Sequence, residues 1–344
     1  MISTQQGRIE WPMSEKYITD PTKQVLMPVH FYIDGACTGQ FQNLPITALK
    51  MALGIHTRHY RQNEHAWRTL GYVASVSKAN SRGKAIFTES EHMDAELQDL
   101  EEGGGLKSSS TKENKAQDFH SMLEEILKSY LEVQTNGFLW DLRYRGKTYK
   151  DVEFVPYVVF VKCDTDEGDL LCGSFKTRTG NVKNLCRYCT CPTKESNLVN
   201  AKFPFKTVSM IKPSILLNDA EQLRQISQQL IDNAWYKVRF SPESSRGIHG
   251  ATPMEMLHQI LLGIFKYTRD CFFAQIGKTS QLANEINALA QKFGVEFGRQ
   301  AGRDLPKCSF KQGIRKGKLM AKEYRGVLMV MAAVLCSLRK ASQP

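Results

Sequence analysis

Apolar residues along this chain fall into two kinds of run. Val25–Ile33 (VLMPVHFYI) is continuous, rich in β-branched and aromatic residues, and gives way to Asp34-Gly35, the pattern of a buried strand that terminates at an acid. Pro45–Leu53 and Thr69–Val76 are further apolar stretches of strand length, separated by polar, turn-forming residues. Together the three predict an antiparallel meander. Phe119, Met122, Leu123, Ile126, Leu127 and Tyr130 recur instead at helical spacing and predict an amphipathic helix over about 116–133. Phe154–Val161 (FVPYVVFV) returns to strand character and runs on into Asp164. Beyond it the pattern predicts a mostly helical stretch over 219–235, helical runs around 254–273 and 280–293, and a closing helix over roughly 318–338.

Composition narrows the partners. The 344 residues carry 46 Lys and Arg against 35 Asp and Glu, a formal net charge of +11 that favours polyanions such as nucleic acid. Residues 81–115 depart from this balance: Glu89, Glu91, Asp94, Glu96, Asp99, Glu101 and Glu102 lead into Gly103-Gly104-Gly105 and Ser108-Ser109-Ser110. That composition reads as a solvated insertion turned away from any polyanion. Residues 1–14 contain no apolar leader, and the longest apolar run, Val327–Leu338, is a core helix rather than a membrane span, which needs about 20 residues. Nine cysteines without a leader point to reduced thiols in the cytosol or nucleus.

Four groups of residues could carry chemistry. Asp34 and Asp164 each follow a strongly apolar run and precede turn-prone, glycine-containing sequence (Gly35, Gly168). If the two strands are neighbours, their ends present two carboxylates at one edge of the sheet, as two-metal phosphoryl transfer requires; each Asp alone is an ordinary turn residue. Cys186-Arg187-Tyr188-Cys189 is a CxxC with Cys191 close behind. It supplies two ligands of a tetrahedral zinc site, the others to come from Cys172, Cys163, His249 or His258, and free buried thiols are the alternative. Pro253–Lys266 (PMEMLHQILLGIFK) starts an amphipathic helix with Glu255, His258 and Gln259 on one face. Finally Arg299, Arg303, Lys307, Lys311, Arg315, Lys316, Lys318 and Lys322 face the single acid Asp304, a segment able to follow a phosphate backbone or simply to be a solvated basic loop.

Taken in order, these segments resemble the transposases of the Kyakuja–Dileera–Zisupton group, particularly the Plavaka-type proteins, and more distantly the CACTA group. Phe31–Val73 (FYIDGACTGQ…LPITALKMALGI…HAWRTLGYV) is similar to the group's first catalytic block. Phe160–Cys189 (FVKCDTDEGDLLCG…LCRYC) is similar to its second, Glu255–Lys266 (EMLHQILLGIFK) to its LHQ block, and Leu319–Leu335 (LMAKEYRGVLMVMAAVL) to its closing helix. The resemblance covers roughly residues 25–338. It implies an RNase H-like α/β fold, also the fold matching the element order: a mixed sheet flanked by helices, with a zinc-binding insertion and a helical C-terminal part.

The resemblance further implies metal-dependent cutting and joining of double-stranded DNA at transposon ends, with Mg²⁺ or Mn²⁺, a structural Zn²⁺, dimers or larger assemblies, and a nuclear location. Carried over, Asp34 is the first metal ligand and Asp164 the second, with Asp169 as the alternative. Glu255 stands where the group usually has Asp, and Glu323 on the closing helix competes with it for the third place. The expected organisation is a tail over 1–24, the first part of the core over 25–185 with its insertion at 81–115, a CxxC-containing insertion over 186–250, and a helical part over 251–344 that completes the core. Little sequence precedes the first strand, so a truncated copy, or a catalytically inactive descendant that binds DNA or protein, is the alternative expectation.

Overall fold

The structure, a computed structural model, describes residues 2–3, 9–10, 17–20, 22–38, 44–74, 110–144, 146–175, 182–198, 200–241, 245–277, 280–300 and 321–341. The chain divides into two compact units, Met1–Pro253 and Met254–Pro344. The first unit is mixed α/β. After a short ladder of β1 (Ile2–Ser3) with β2 (Ile9–Glu10), five strands form one sheet: β3 (Gln24–Thr38), β4 (Leu44–Leu53), β5 (Arg68–Ala74), β6 (Phe138–Tyr144) and β7 (Lys147–Lys162). Their spatial order is β5-β4-β3-β7-β6. β3 and β7 are parallel and the other pairs antiparallel, so the sheet is mixed.

The meander expected from the three apolar runs is β3-β4-β5. Asp34, however, does not end its strand. β3 continues to Thr38 as one arm of the hairpin with β4, where Asp34 pairs with Ala48, whereas its ladder with β7 stops at Tyr32–Lys162. Two prolines sit inside central strands without cost because a neighbour has already ended there. β4 stops opposite Val29, one residue short of Pro28, and β6 begins opposite Phe154, short of Pro156.

The amphipathic stripe forms α1 (Ser110–Asn136), longer than predicted at both ends and stopped by Gly137, whose φ of 67° suits the left-handed C-terminal cap. Its Phe119, Leu123, Leu127 and Tyr130 are buried against Val29, Phe31, Ile33, Leu49 and Val73 of the sheet. Phe31 meets Tyr130 and the fully buried Trp235 edge-on, with centroids 5.2 and 5.5 Å apart. One face of the sheet is thus the core face. Alternation sends His30, Tyr32 and Asp34 to the other, called the outer face below.

The sequence reading misses the β6–β7 hairpin. Its turn signal, Arg145-Gly146, is present, and Gly146 adopts φ 76°, but the strands are short and mostly exposed, so alternation is weak. It also misses α2 (Thr165–Leu171) and α3 (Val208–Leu216). The stretch 219–235 is a correction: only α4 (Ala220–Gln225) and a 3₁₀ turn (Ala234–Lys237) are helical. Between them Ser227 takes φ 53° and the backbone is drawn sideways, Gln229 donating to Gly173 O at 2.8 Å. A single turn, α5 (Ile248–Ala251), closes the unit.

The second unit is helical. Met256–Phe265 winds as a π-helix, rare at this length, and passes into α6 (Lys266–Ile276), followed by α7 (Gln281–Gln300) and α8 (Ala321–Ala341). Leu261, Phe265, Phe273, Ile286, Tyr324, Val327, Val330 and Val334 make its core. Among the described residues no helix is long and apolar enough to cross a membrane. The acidic stretch lies outside the described residues except for its last positions, which begin α1.

Candidate functional site

The parallel register fixes where the two aspartates sit. Tyr32 on β3 faces Lys162 on β7. One pleat beyond that pair lie Asp34 on β3 and Asp164 just past the end of β7. Ile33 and Cys163, the residues between, are buried on the core face, so both acids belong to the outer face. Asp34 is exposed and accepts a hydrogen bond from the Tyr32 hydroxyl at 2.7 Å. Asp164 caps α2, its Oδ1 accepting the Glu167 amide at 2.8 Å.

Tyr32 shows how tightly this corner is drawn together. Its phenol is held well above the ordinary tyrosine range, first by burial, then by its bond to Asp34, then by the charges of Asp34, Asp164 and Glu167. The charges of three carboxylates thus reach one hydroxyl, and Asp34 is the one bonded to it. Glu167 is the member sequence reasoning missed. Its Oε1 would stand 3.2 Å from a Cβ placed on Gly35, so that glycine lets the glutamate lie across β3. A signal for it exists in the spacing Asp164-x-x-Glu167, that of a helix capping box.

Asp169, the alternative second acid, is elsewhere. It is buried and paired with Arg187, Nη1 to Oδ1 2.9 Å, and Arg187 also donates to Thr165 O at 2.7 Å. Gly168 is what lets the guanidinium in, since a Cβ there would be 2.6 Å from Arg187 Nη1. The candidates for the third acid belong to the second unit. Glu255 caps the π-helix, accepting the Leu257 and His258 amides, and its Oε2 lies 2.8 Å from His258 Nδ1. Glu323 is buried in the first turn of α8. Gln259 continues the same π-helix.

The cysteines separate into two groups. Cys186, Cys189 and Cys191 are half-buried in one short segment. Cys186 Sγ accepts the Tyr188 amide at 3.4 Å, and Cys189 bridges to Phe205. The three sense each other electrostatically: burial raises the Cys189 thiol, with Cys186 and Cys191 adding to the rise, and Cys191 is raised in turn by burial and by Cys186. Lys206, fully buried, ends in an ammonium with no hydrogen-bond partner among the described residues. Burial lowers its pKa, and Cys172, Cys186, Cys189 and Asp169 act against that.

Cys163 and Cys172 are core residues. Cys172 Sγ lies 3.9 Å from Ile248 O and 3.7 Å from Thr252 Oγ1, and burial pushes its thiol up to about 11. Both nitrogens of the buried His249 are in use, Nδ1 with Arg187 O at 3.1 Å and Nε2 with the Tyr236 hydroxyl at 3.2 Å. His258 belongs to the second unit.

Of the basic segment, Arg299 falls in α7 and Lys322 in α8, while Arg303, Lys307, Lys311, Arg315, Lys316 and Lys318 lie outside the described residues. Among the described residues no group of three or more His, Cys, Asp or Glu side chains is arranged to hold a metal ion. No protein-family model matches the chain, and no curated protein matches it.

Proposed function

We propose that this chain is an RNase H-like, metal-dependent DNA-cutting and DNA-joining domain of the transposase type, with Asp34 and Asp164 as its central pair. The observation that carries the reading is that Asp34 and Asp164 lie one pleat beyond the last pair of two adjacent parallel strands, Tyr32 and Lys162. Carboxylate oxygens are the ligands hard divalent cations take. Asp34 and Asp164 would hold Mg²⁺ or Mn²⁺. A cation there supplies a lowered pKa for an attacking water or 3′-hydroxyl and charge neutralisation for the leaving oxygen.

The protein's own residues have separate tasks in this reading. Tyr32 fixes the rotamer of Asp34, and the Glu167 amide at the start of α2 orients Asp164. The net charge of +11 and the segment over 299–322 favour a DNA backbone as substrate.

The same reading includes a structural zinc on the CxxC. The donor chemistry fits at Cys186 and Cys189, while both nitrogens of His249 are committed to other partners. The amide pointing at Cys186 Sγ and the unpartnered ammonium of Lys206 beside the thiols both suit thiolate ligands better than neutral thiols.

The test is nicking of supercoiled DNA with Mg²⁺ or Mn²⁺ present. Asp34→Asn and Asp164→Asn should each lower the rate by at least about two orders of magnitude while DNA binding survives. Wild-type-like cleavage by either variant would remove the assignment. DNA binding by the wild-type chain without nicking under any metal condition would select the inactive, DNA-binding descendant instead.

A further inference from the structure

The outer face carries a second row of charge directly beside the acids. Lys50 on β4, Tyr32 on β3 and Lys162 on β7 stand side by side across three strands, and Ala48 and Asp34 make the next row, towards Asp164. Leu49, Ile33 and Val161 are fully buried on the core face, so alternation sends both lysines to the outer face with Tyr32. Among the described residues neither lysine makes an ion pair. Lys162 instead stands 5.4 Å over the Trp67 ring, and Trp67 in turn meets Tyr32 edge-on at 6.0 Å.

The loop between β4 and β5 adds to this row and is held firmly. Arg61 Nη1 donates to Gly54 O at 2.8 Å and also to His56 O, and Trp67 Nε1 donates to Arg61 O at 2.9 Å. So the loop is stapled by its own side chains, as compact functional loops are. It bears His56, Arg58, His59, Arg61 and His65 against the single acid Glu64, with Tyr60 exposed. Arg61 and Lys162 are close enough for Arg61 to lower the Lys162 ammonium's pKa, after the larger effect of burial.

We propose that Lys50 and Lys162 seat the phosphate next to the scissile one on the DNA strand presented to Asp34 and Asp164. This rests on the DNA-processing reading and gives it a substrate path that the sequence did not suggest. The two rows are separated by two residues along a strand, roughly 7 Å, a step of the same order as the distance between successive phosphates on one strand. A carboxylate pair repels a polyanion, and cations one step away offset that repulsion. Trp67 is the ring a sugar or base beside that phosphate would rest on.

The experiment is fluorescence anisotropy of a short labelled DNA duplex across a salt series, with the whole chain. Lys50→Gln and Lys162→Gln should each reduce the slope of log affinity against log salt by about one. Lys128→Gln, an exposed lysine on α1 on the opposite face, controls for net charge and should leave the slope unchanged. Tryptophan emission checks that each variant is folded. If wild type binds and the two variants keep its slope, or if Lys128→Gln loses as much as they do, the phosphate seat is wrong while the DNA reading stands. If wild type binds no DNA at low salt, both fall together.

Discussion

Two buried histidines make the first unit acid-labile, and the size of the effect follows from their surroundings. His120 is fully buried, with Nε2 3.0 Å from Leu170 O and no hydrogen-bond partner at Nδ1 among the described residues. His249 is equally buried between Arg187 O and Tyr236. Burial brings each down from 6.5 to about 4; Lys206 presses His249 further down, and the backbone carbonyls oppose the shift in both. Both rings are therefore neutral in the folded protein at pH 7. The unfolded chain protonates them near 6.5, the folded chain only near 4. Their folded pKa values lie below the unfolded ones, so their contribution is fully present above pH 6.5 and is lost as pH falls through 4.

Each pKa unit is worth 1.36 kcal/mol, so each histidine can withdraw roughly 3 kcal/mol across that window, and the pair about 2.7 kcal/mol per pH unit at most. That is a large share of a typical stability of about 5–15 kcal/mol. His30, lowered to about 4 by burial, Lys162 and Arg61, acts in the same direction. Urea unfolding followed by tryptophan emission between pH 7 and pH 4.5 measures the slope. All four tryptophans precede Met254, so the signal reports the first unit alone. In the double variant His120→Gln/His249→Gln most of the slope should vanish, whatever its stability at pH 7. An unchanged slope in that variant would refute the reasoning.

Further consequences can be checked on the same preparation. Asp169→Ala leaves the Arg187 guanidinium buried without its carboxylate and should cost about 3–5 kcal/mol, with much of it recovered in Asp169→Leu/Arg187→Met; a loss under about 1 kcal/mol would mean the pair is not what holds α2 to the cysteine segment. Lys206→Met removes a buried unpartnered cation, so it should raise the melting temperature of chelator-stripped protein yet speed zinc loss from metal-loaded protein, followed with a colorimetric chelator. Lower melting after stripping, or unaltered zinc release, would count against Lys206 as the counter-charge of a thiolate centre.

The sheet was legible wherever burial writes itself into composition. β3, β7 and the stripe of α1 are buried on a whole face, and their apolar runs announce them. β6 was not legible, because Leu139 and Trp140 are 64% and 68% exposed and no buried face imposes a pattern on it. The stretch 219–235 looked helical from its Gln, Leu and Ile content, but tertiary bonds to Gly173 and Ser174 outweigh that propensity. Asp34 and Asp164 could be picked from sequence because each follows an apolar run. Lys50 and Lys162 could not, since only the register of three strands brings them beside the aspartates. Sequence also offered His249 as a metal ligand without revealing that both its nitrogens are occupied.

The central claim is that Asp34 and Asp164 act as one divalent-cation site, and Mn²⁺ binding followed by electron paramagnetic resonance tests it without any assumption about substrate. Wild type should bind Mn²⁺ saturably, Asp34→Asn and Asp164→Asn should each abolish that binding, and Asp166→Asn, at an exposed carboxylate in the first turn of α2, should leave it intact. Saturable binding that survives both Asp34→Asn and Asp164→Asn would contradict the account.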